Sequence, residues 1–208
     1  MKITWEELGK FALDYKPEMQ EINGMRNYLM LNLMLNNYKE IDDFKSYVVL
    51  RVIEYSSLYL WKNKRKPPDD KKNYIYMATN SLYIQHSKTT GGVRRIANTV
   101  GEQKKVAIYP ISDKLMELIS VYIKKLKIKN KEPIFYGDKG DKIIDTTYFS
   151  RLLKILLSPL NPNINSTMIR KIYENRTIEG VLNANQKNMN LKNADHSMAI
   201  AETFYKKI

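Results

Sequence analysis

The apolar residues of this chain follow a helical pattern towards both ends and a strand pattern in the middle. Near the N-terminus, Thr4 and Glu7 have the spacing of a capping box, which predicts a short helix that ends near Pro17. Two dense apolar runs follow at residues 24–37 and 44–61, and they predict two buried helices. We expect these two helices to form the core.

Short segments rich in β-branched and aromatic residues occupy the middle of the chain, after a charged stretch with two prolines at residues 62–73. That stretch has no apolar periodicity and is predicted to be a solvated loop. The segments predict a small antiparallel sheet of three strands, at 74–78, 81–88 and 104–111. The connection at 89–103 holds a glycine pair and two arginines and is too long for a tight hairpin, so we expect it to be mobile.

Helical spacing returns in the C-terminal half, where polar caps and turn residues mark the helix starts. Three further helices are predicted, at residues 112–128, 146–157 and 166–176. The whole pattern predicts an α+β fold that is mostly helical and contains one small three-stranded antiparallel sheet. Residues 1–23 are expected to form an N-terminal arm with a short helix, ahead of a single domain at 24–208.

Composition narrows the class of partner. The 208 residues include 35 Lys and Arg against 22 Asp and Glu, and the resulting charge of +13 favours a polyanion such as double-stranded DNA. The absence of cysteine excludes disulfides and thiol nucleophiles, and two distant histidines argue against a metal site. No run approaches the roughly 20 apolar residues of a membrane-spanning helix. Since a secretory signal is also missing, we expect an intracellular location, in the cytoplasm or nucleus.

Several charged or nucleophilic residues are weak signals alone but informative in their order. Arg51 and Glu54 have i, i+3 spacing within a predicted helix, where an ion pair is the ordinary explanation. Lys88 begins the glycine-containing connection, and Arg170 lies near the start of the last predicted helix. The chain then ends on ADHSMAIAETFYKKI, in which a histidine precedes a tyrosine by nine residues.

This order of residues resembles the catalytic domain of the tyrosine recombinases, the lambda-integrase-like enzymes of DNA strand exchange. The resemblance covers about residues 24–208, and the final DHS with its tyrosine is similar to the Gly-His-Ser…Tyr signature of that family. It implies the DNA breaking-rejoining enzyme fold. It also implies the family's catalytic set, which in this chain is Arg51, Lys88, Arg170, His196 and Tyr205.

These residue types can break a phosphodiester without metal or ATP, so no cofactor is implied. Two arginines can each offer a planar fork to the non-bridging phosphate oxygens, and His196 can donate one further hydrogen bond there. Lys88 is expected to protonate the leaving 5′-oxygen. Tyr205 is the expected nucleophile and would carry the cleaved strand as a 3′-phosphotyrosine.

The spacing between the last histidine and tyrosine requires a break in the helix. Nine residues turn through roughly 900°, at about 100° per residue, so His196 and Tyr205 would lie on opposite faces of an unbroken helix. We therefore expect Ser197 to cap a short helix that separates them. The alternative is that Phe204 and Tyr205 simply pack a terminal helix.

The chain departs from the family pattern at two positions. Thr167 stands three residues before Arg170, where the family usually has a histidine, and its hydroxyl can bind a phosphate oxygen but is a poor base. Asp195 replaces the glycine that usually precedes the signature histidine. We retain Glu54 and Thr167 as supporting positions, and expect four other basic residues to contact DNA: Arg94, Arg95, Lys171 and Lys206.

The favoured function is a site-specific recombinase or integrase, monomeric in solution and able to form homo-oligomers on DNA. We expect residues 1–23 to be too few for the N-terminal clamping domain of the family. The tail after Tyr205 is short, so we do not expect protomers to assemble by exchanging tails. Three alternatives stay open: a type IB topoisomerase-like enzyme, a non-catalytic DNA-binding protein on the same fold, and a basic scaffold for an acidic protein.

Overall fold

The computed structural model describes residues 3–15, 21–41, 44–70, 72–85, 106–137 and 145–179. Within these ranges the protein is mixed α+β, with six α-helices and two small sheets. It divides into two compact units: Met1–Leu50 with Ser150–Ile208 form unit 1, and Arg51–Phe149 form unit 2. None of the described helices is long and apolar enough to cross a membrane.

Most of the predicted helices are confirmed. The described helices are α1 Trp5–Asp14, α2 Ile22–Leu35, α3 Val52–Ser56, α4 Asp113–Leu126, α5 Thr146–Leu157 and α6 Ser166–Glu179. The capping box of α1 forms as predicted, because the Glu7 N–H donates to Thr4 Oγ1 at 3.2 Å and the Thr4 N–H donates to Glu7 Oε2 at 2.8 Å. Helix α4 begins after Ser112, its predicted cap residue.

The predicted helix at 44–61 is wrong. Its first part, Phe44–Tyr47, is strand β2, which pairs antiparallel with β1, Tyr38–Ile41. In the rest of this range only α3 is helical, and Leu58–Trp61 forms strand β3. A short apolar run does not distinguish a buried strand from a buried helix, and the β-branched and aromatic residues here favour strands once partners are available.

Helix α1 is part of the core of unit 1. The Trp5 ring packs against two tyrosine rings that also contact each other, with its centroid 5.4 Å from Tyr47 and 4.9 Å from Tyr173. Leu8 and Ala12 follow Trp5 at helical spacing and are fully buried. This face joins α1 to α2, while the aromatic contacts join it to β2 and α6.

We expect Trp5→Ala to lower the free energy of unfolding by about 3–5 kcal/mol, because it leaves a large cavity beside the two tyrosines in the core. Urea denaturation followed by circular dichroism measures the loss. Leu13→Ala is the matched control on the same helix, since Leu13 is 46% exposed and its truncation should cost about 0.5 kcal/mol or less. Equal losses for the two variants would contradict the role of Trp5 in this core.

Unit 2 is built on a four-stranded sheet in the order β3-β4-β5-β6. Strands β4 Asn73–Tyr76, β5 Ser81–Ile84 and β6 Ala107–Pro110 pair antiparallel, as predicted. Three strands were predicted and the sheet has four, because β3 joins it parallel to β4. An aromatic cluster packs this sheet, formed by Trp61, Tyr74, Tyr76 and Tyr83.

The charged stretch that follows β3 is exposed but anchored by buried groups. Trp61 Nε1 donates to the carbonyl oxygen of Arg65 at 2.7 Å, and the Tyr76 hydroxyl donates to that of Lys64 at 2.7 Å. The Tyr74 hydroxyl donates to Asp70 Oδ2 at 2.6 Å, and burial together with this bond raises the pKa of Tyr74 well above its usual range. The predicted solvated loop therefore has a defined backbone path.

Candidate active site

Arg51 lies at the start of helix α3, where it is the N-cap residue. This corrects the prediction that Arg51 lies within a long helix. The Glu54 carboxylate accepts a hydrogen bond from the Arg51 N–H, and the Glu54 N–H donates to the Arg51 carbonyl oxygen at 3.0 Å. Glu54 is only 2% exposed, so a buried carboxylate fixes the backbone at Arg51.

The Arg51 side chain is half-buried and extends from this fixed backbone. Among the described residues, no carboxylate forms an ion pair with its guanidinium. The expected Arg51–Glu54 ion pair is therefore replaced by a hydrogen bond between the carboxylate and the backbone. Within the described ranges, no carboxylate competes with an external anion for the Arg51 guanidinium fork.

Arg170 lies in the first turns of helix α6, which begins after a side-chain cap. Asn165 Oδ1 accepts from the Met168 N–H at 3.0 Å and satisfies one of the amides at the helix start. Ile169, the neighbour of Arg170, is buried and packs this turn into the core of unit 1. Arg170 itself is half-buried, with its Nε atom shielded from solvent.

The second half of α6 is fixed by three contacts to other parts of unit 1. Tyr173 is fully buried, and its hydroxyl donates to the Tyr47 carbonyl oxygen at 3.2 Å. Arg176 Nε donates to Glu6 Oε1 at 2.6 Å, and its guanidinium lies 5.4 Å from the centroid of the Tyr47 ring. Helix α6 is therefore held by both α1 and β2, which orients the side chains of its first turns.

Thr167 and Lys171 flank Arg170 on α6, Thr167 on the same side of the helix and Lys171 about 100° farther around it. They stand three residues before and one residue after it, and Thr167 is exposed while Lys171 is half-buried. The helix dipole makes its first turn electropositive. Thr167 lies in this first turn, and Arg170 and Lys171 add their own positive charge in the next one, which suits a phosphate group.

Glu174 was missed by the sequence analysis. It stands one helical turn after Arg170, on the same side of α6, and is fully buried. A buried carboxylate at this spacing is suited to orient an arginine. The i, i+4 pattern of Arg170 and Glu174 was the signal in the sequence that could have identified it.

Of the five predicted catalytic residues, the described ranges include only Arg51 and Arg170, each with predicted neighbours of its own unit. Arg51 and Glu54 belong to unit 2, while Thr167, Arg170 and Lys171 belong to unit 1. Strand β5 ends at Ile84, four residues before Lys88. Six predicted residues lie outside the described residues, namely Lys88, Arg94, Arg95, His196, Tyr205 and Lys206. So do the predicted mobile connection at 89–103 and the predicted helix break at Ser197.

The described part of the chain contains no group of three or more His, Asp or Glu residues that could hold a metal ion. Comparison of the chain with models of known protein families found no match. A search of curated proteins likewise found no significant relative. The likeness to the tyrosine recombinases therefore rests only on the order and spacing of residues in this sequence.

Proposed function

We propose that this protein is a site-specific DNA strand transferase of the tyrosine recombinase type. It cleaves one strand of double-stranded DNA through a 3′-phosphotyrosine and then rejoins it or a partner strand. The DNA breaking-rejoining fold, an intracellular location and assembly on DNA belong to the same proposal.

One observation carries this proposal: both proposed phosphate-binding arginines lie near the start of a helix, Arg51 at the N-cap of α3 and Arg170 in the second turn of α6, with part of their surface exposed. Arg51 is fixed by Glu54, and the turn that holds Arg170 is fixed by Asn165 and Ile169. Helix N-termini and arginine forks both favour anions. A backbone held in this way limits how far each arginine must reorganise to stabilise the charge that develops on a phosphate during transfer.

In the proposed reaction, Tyr205 Oη attacks phosphorus and forms a new P–O bond as the bond to the 5′-oxygen breaks. Lys88 gives a proton to that oxygen, which leaves as a 5′-hydroxyl. The energy of the broken ester is retained in the phosphotyrosine, so a 5′-hydroxyl can later reverse the step. Thr167 can bind a phosphate oxygen but cannot act as the base, so the phenol proton must pass to water or another side chain.

The decisive experiment is to trap the covalent intermediate. The full chain is incubated with a pool of nicked duplexes of randomised sequence, in which the short cleaved fragment diffuses away and rejoining fails. A denaturant-resistant adduct on the 3′-phosphate side is expected. Duplex binding without any adduct would favour the non-catalytic DNA-binding alternative. Relaxation of supercoiled plasmids without exchange between duplexes would favour the topoisomerase-like alternative.

We expect Lys88→Ala to lose cleavage of an ordinary duplex and to recover it when sulfur replaces the bridging 5′-oxygen. A thiolate is a far better leaving group than an alkoxide, so it needs no general acid. Single-turnover cleavage of the two substrates by wild type and variant measures the effect. If the sulfur substrate fails to restore cleavage by Lys88→Ala, Lys88 is not the acid.

A further inference from the structure

A basic surface lies on unit 2, on residues that the proposed chemistry does not use. It is formed by two segments, residues 62–66 after strand β3 and residues 127–131 after helix α4. Lys62 joins the two segments, and their other exposed cations are Lys64, Arg65, Lys66, Lys127, Lys129 and Lys131. We refer to these six residues as the basic surface.

The two segments are joined by direct contacts. Lys62 Nζ donates to the Ile128 carbonyl oxygen at 2.9 Å, and the Lys62 N–H donates to Asn130 Oδ1 at 2.7 Å. Lys131 Nζ lies over the Trp61 ring, 5.4 Å from its centroid, while Trp61 Nε1 holds the carbonyl oxygen of Arg65. The cations of both segments therefore belong to one continuous surface with a fixed backbone.

The nearby carboxylates have other partners. Asp70 accepts from the Tyr74 hydroxyl at 2.6 Å, and Glu132 accepts from the backbone N–H of Lys129 at 2.6 Å. Within the described ranges, no acidic side chain forms an ion pair with any of the six cations. The cations outnumber the neighbouring carboxylates of Asp69, Asp70 and Glu132, so the surface keeps a net positive charge, which raises the local concentration of polyanions.

The backbone at two of these lysines indicates that their side chains serve a purpose. Lys127 has a φ of 55° and Lys131 has a φ of 69°, both in the left-handed region that glycine occupies most easily. Lys127 ends helix α4 at the position where glycine is the usual residue. Lysine at these positions costs backbone energy, so a benefit from the ammonium groups would offset it.

We propose that the basic surface binds the sugar-phosphate backbone of duplex DNA as a second contact, separate from the phosphate that is cleaved. The proposal rests on the DNA partner of the proposed function but not on its chemistry. Exposed lysines and one arginine on a defined backbone path suit a row of phosphates, which positions a duplex without reading its sequence. Each contact releases counterions, so the surface contributes to the salt dependence of binding.

The test measures binding of a fluorescent intact duplex to the full chain over a series of salt concentrations. The main variant is Lys64→Gln/Arg65→Gln/Lys66→Gln, which leaves the anchored carbonyl groups unchanged. We expect it to reduce the log–log salt slope by about 1 to 3 and the affinity near 0.1 M salt by roughly tenfold or more. The control Lys39→Gln/Lys114→Gln/Lys154→Gln removes the same charge from scattered exposed positions and should change the slope much less.

A second variant separates binding from folding. Lys127→Gly/Lys131→Gly relieves the left-handed backbone, so its unfolding midpoint should be close to that of wild type while its DNA affinity falls. Equal effects of the clustered and scattered triple variants, or unchanged binding by both surface variants, would overturn the proposal. The proposal would also be overturned if the surface variants lost affinity for polyglutamate but not for DNA, because the surface would then bind an acidic protein.

The outcome is independent of catalysis. Binding is measured with Tyr205→Phe protein as well as wild type, so a failure to form the covalent adduct leaves the result intact. Conversely, the clustered triple variant should still form adduct when DNA is saturating, because none of its positions is in the proposed catalytic set.

Discussion

Tyr205→Phe is expected to abolish the covalent protein–DNA adduct while duplex affinity stays within roughly twofold of wild type. The substitution removes only the phenolic oxygen, which is the atom proposed to bond to phosphorus, and leaves the ring in place. Denaturing gel electrophoresis after incubation with nicked duplex measures the adduct. Fluorescence anisotropy with an intact duplex measures the affinity.

Two other tyrosines provide controls for this experiment. Tyr28→Phe changes a half-buried residue of α2 and should form adduct at the wild-type rate. Tyr173→Phe removes the hydrogen bond to the Tyr47 carbonyl oxygen and should lower stability by about 1 kcal/mol, but it should still form adduct. If Tyr205→Phe forms adduct, or if the DNA-linked peptide contains a different tyrosine, the proposed function is wrong.

Arg170→Ala is expected to lower the rate of cleavage by roughly 100-fold or more, with a much smaller change in duplex affinity. The guanidinium is proposed to bind one phosphate whose negative charge grows in the transition state. Its loss should therefore appear in the rate and not in ground-state binding. Arg51→Ala should behave in the same way, because truncation of its side chain keeps the backbone hydrogen bond to Glu54.

The partial burial of Arg170 requires variants that separate catalysis from folding. Arg170→Lys keeps the charge and much of the apolar stem but not the planar fork, so we expect it to remain slow. Added guanidinium ion at low concentration should partly restore cleavage by Arg170→Ala, which a purely structural role would not allow. Arg151→Ala, on the exposed side of α5, is the matched arginine control. Equal losses of rate and affinity would make Arg51 and Arg170 ordinary DNA contacts.

Local signals predicted the helices well. The Thr4–Glu7 capping box, the Ser112 cap and the run at 146–157 each involve residues within about one or two helical turns. The capping-box bonds of α1 therefore form wherever the rest of the chain lies, and Ser112 marks the start of α4 by its extended backbone, without a side-chain capping bond. Helices α1, α4 and α5 were predictable from sequence for this reason.

Strand β2 pairs with its neighbour β1 across residues 42–43, a local hairpin that the helical interpretation of 44–61 missed, whereas the partners of strand β3 lie farther along the chain. Strand β3 bonds to β4 on one edge, and on the other edge the Leu60 N–H donates to the Glu132 carbonyl oxygen at 2.8 Å. Neither partner is visible from the apolar pattern of 44–61, which also fits a helix. The sequence did indicate which types of residue form the site. It did not show that Glu54 caps the backbone, because that role depends on where α3 begins.

Unit 1 is discontinuous in the chain, and this has a consequence for synthesis on the ribosome. The Tyr47 carbonyl oxygen receives its hydrogen bond from Tyr173, and Glu6 its ion pair from Arg176, so the first segment of unit 1 emerges long before its partners. Unit 2 is encoded between the two segments and can complete its sheet while Trp5 still lacks one of its two tyrosines. Domains generally fold as units in the order of their synthesis. The nascent N-terminal segment must therefore keep its apolar residues, Trp5 among them, from aggregating until α6 has been made.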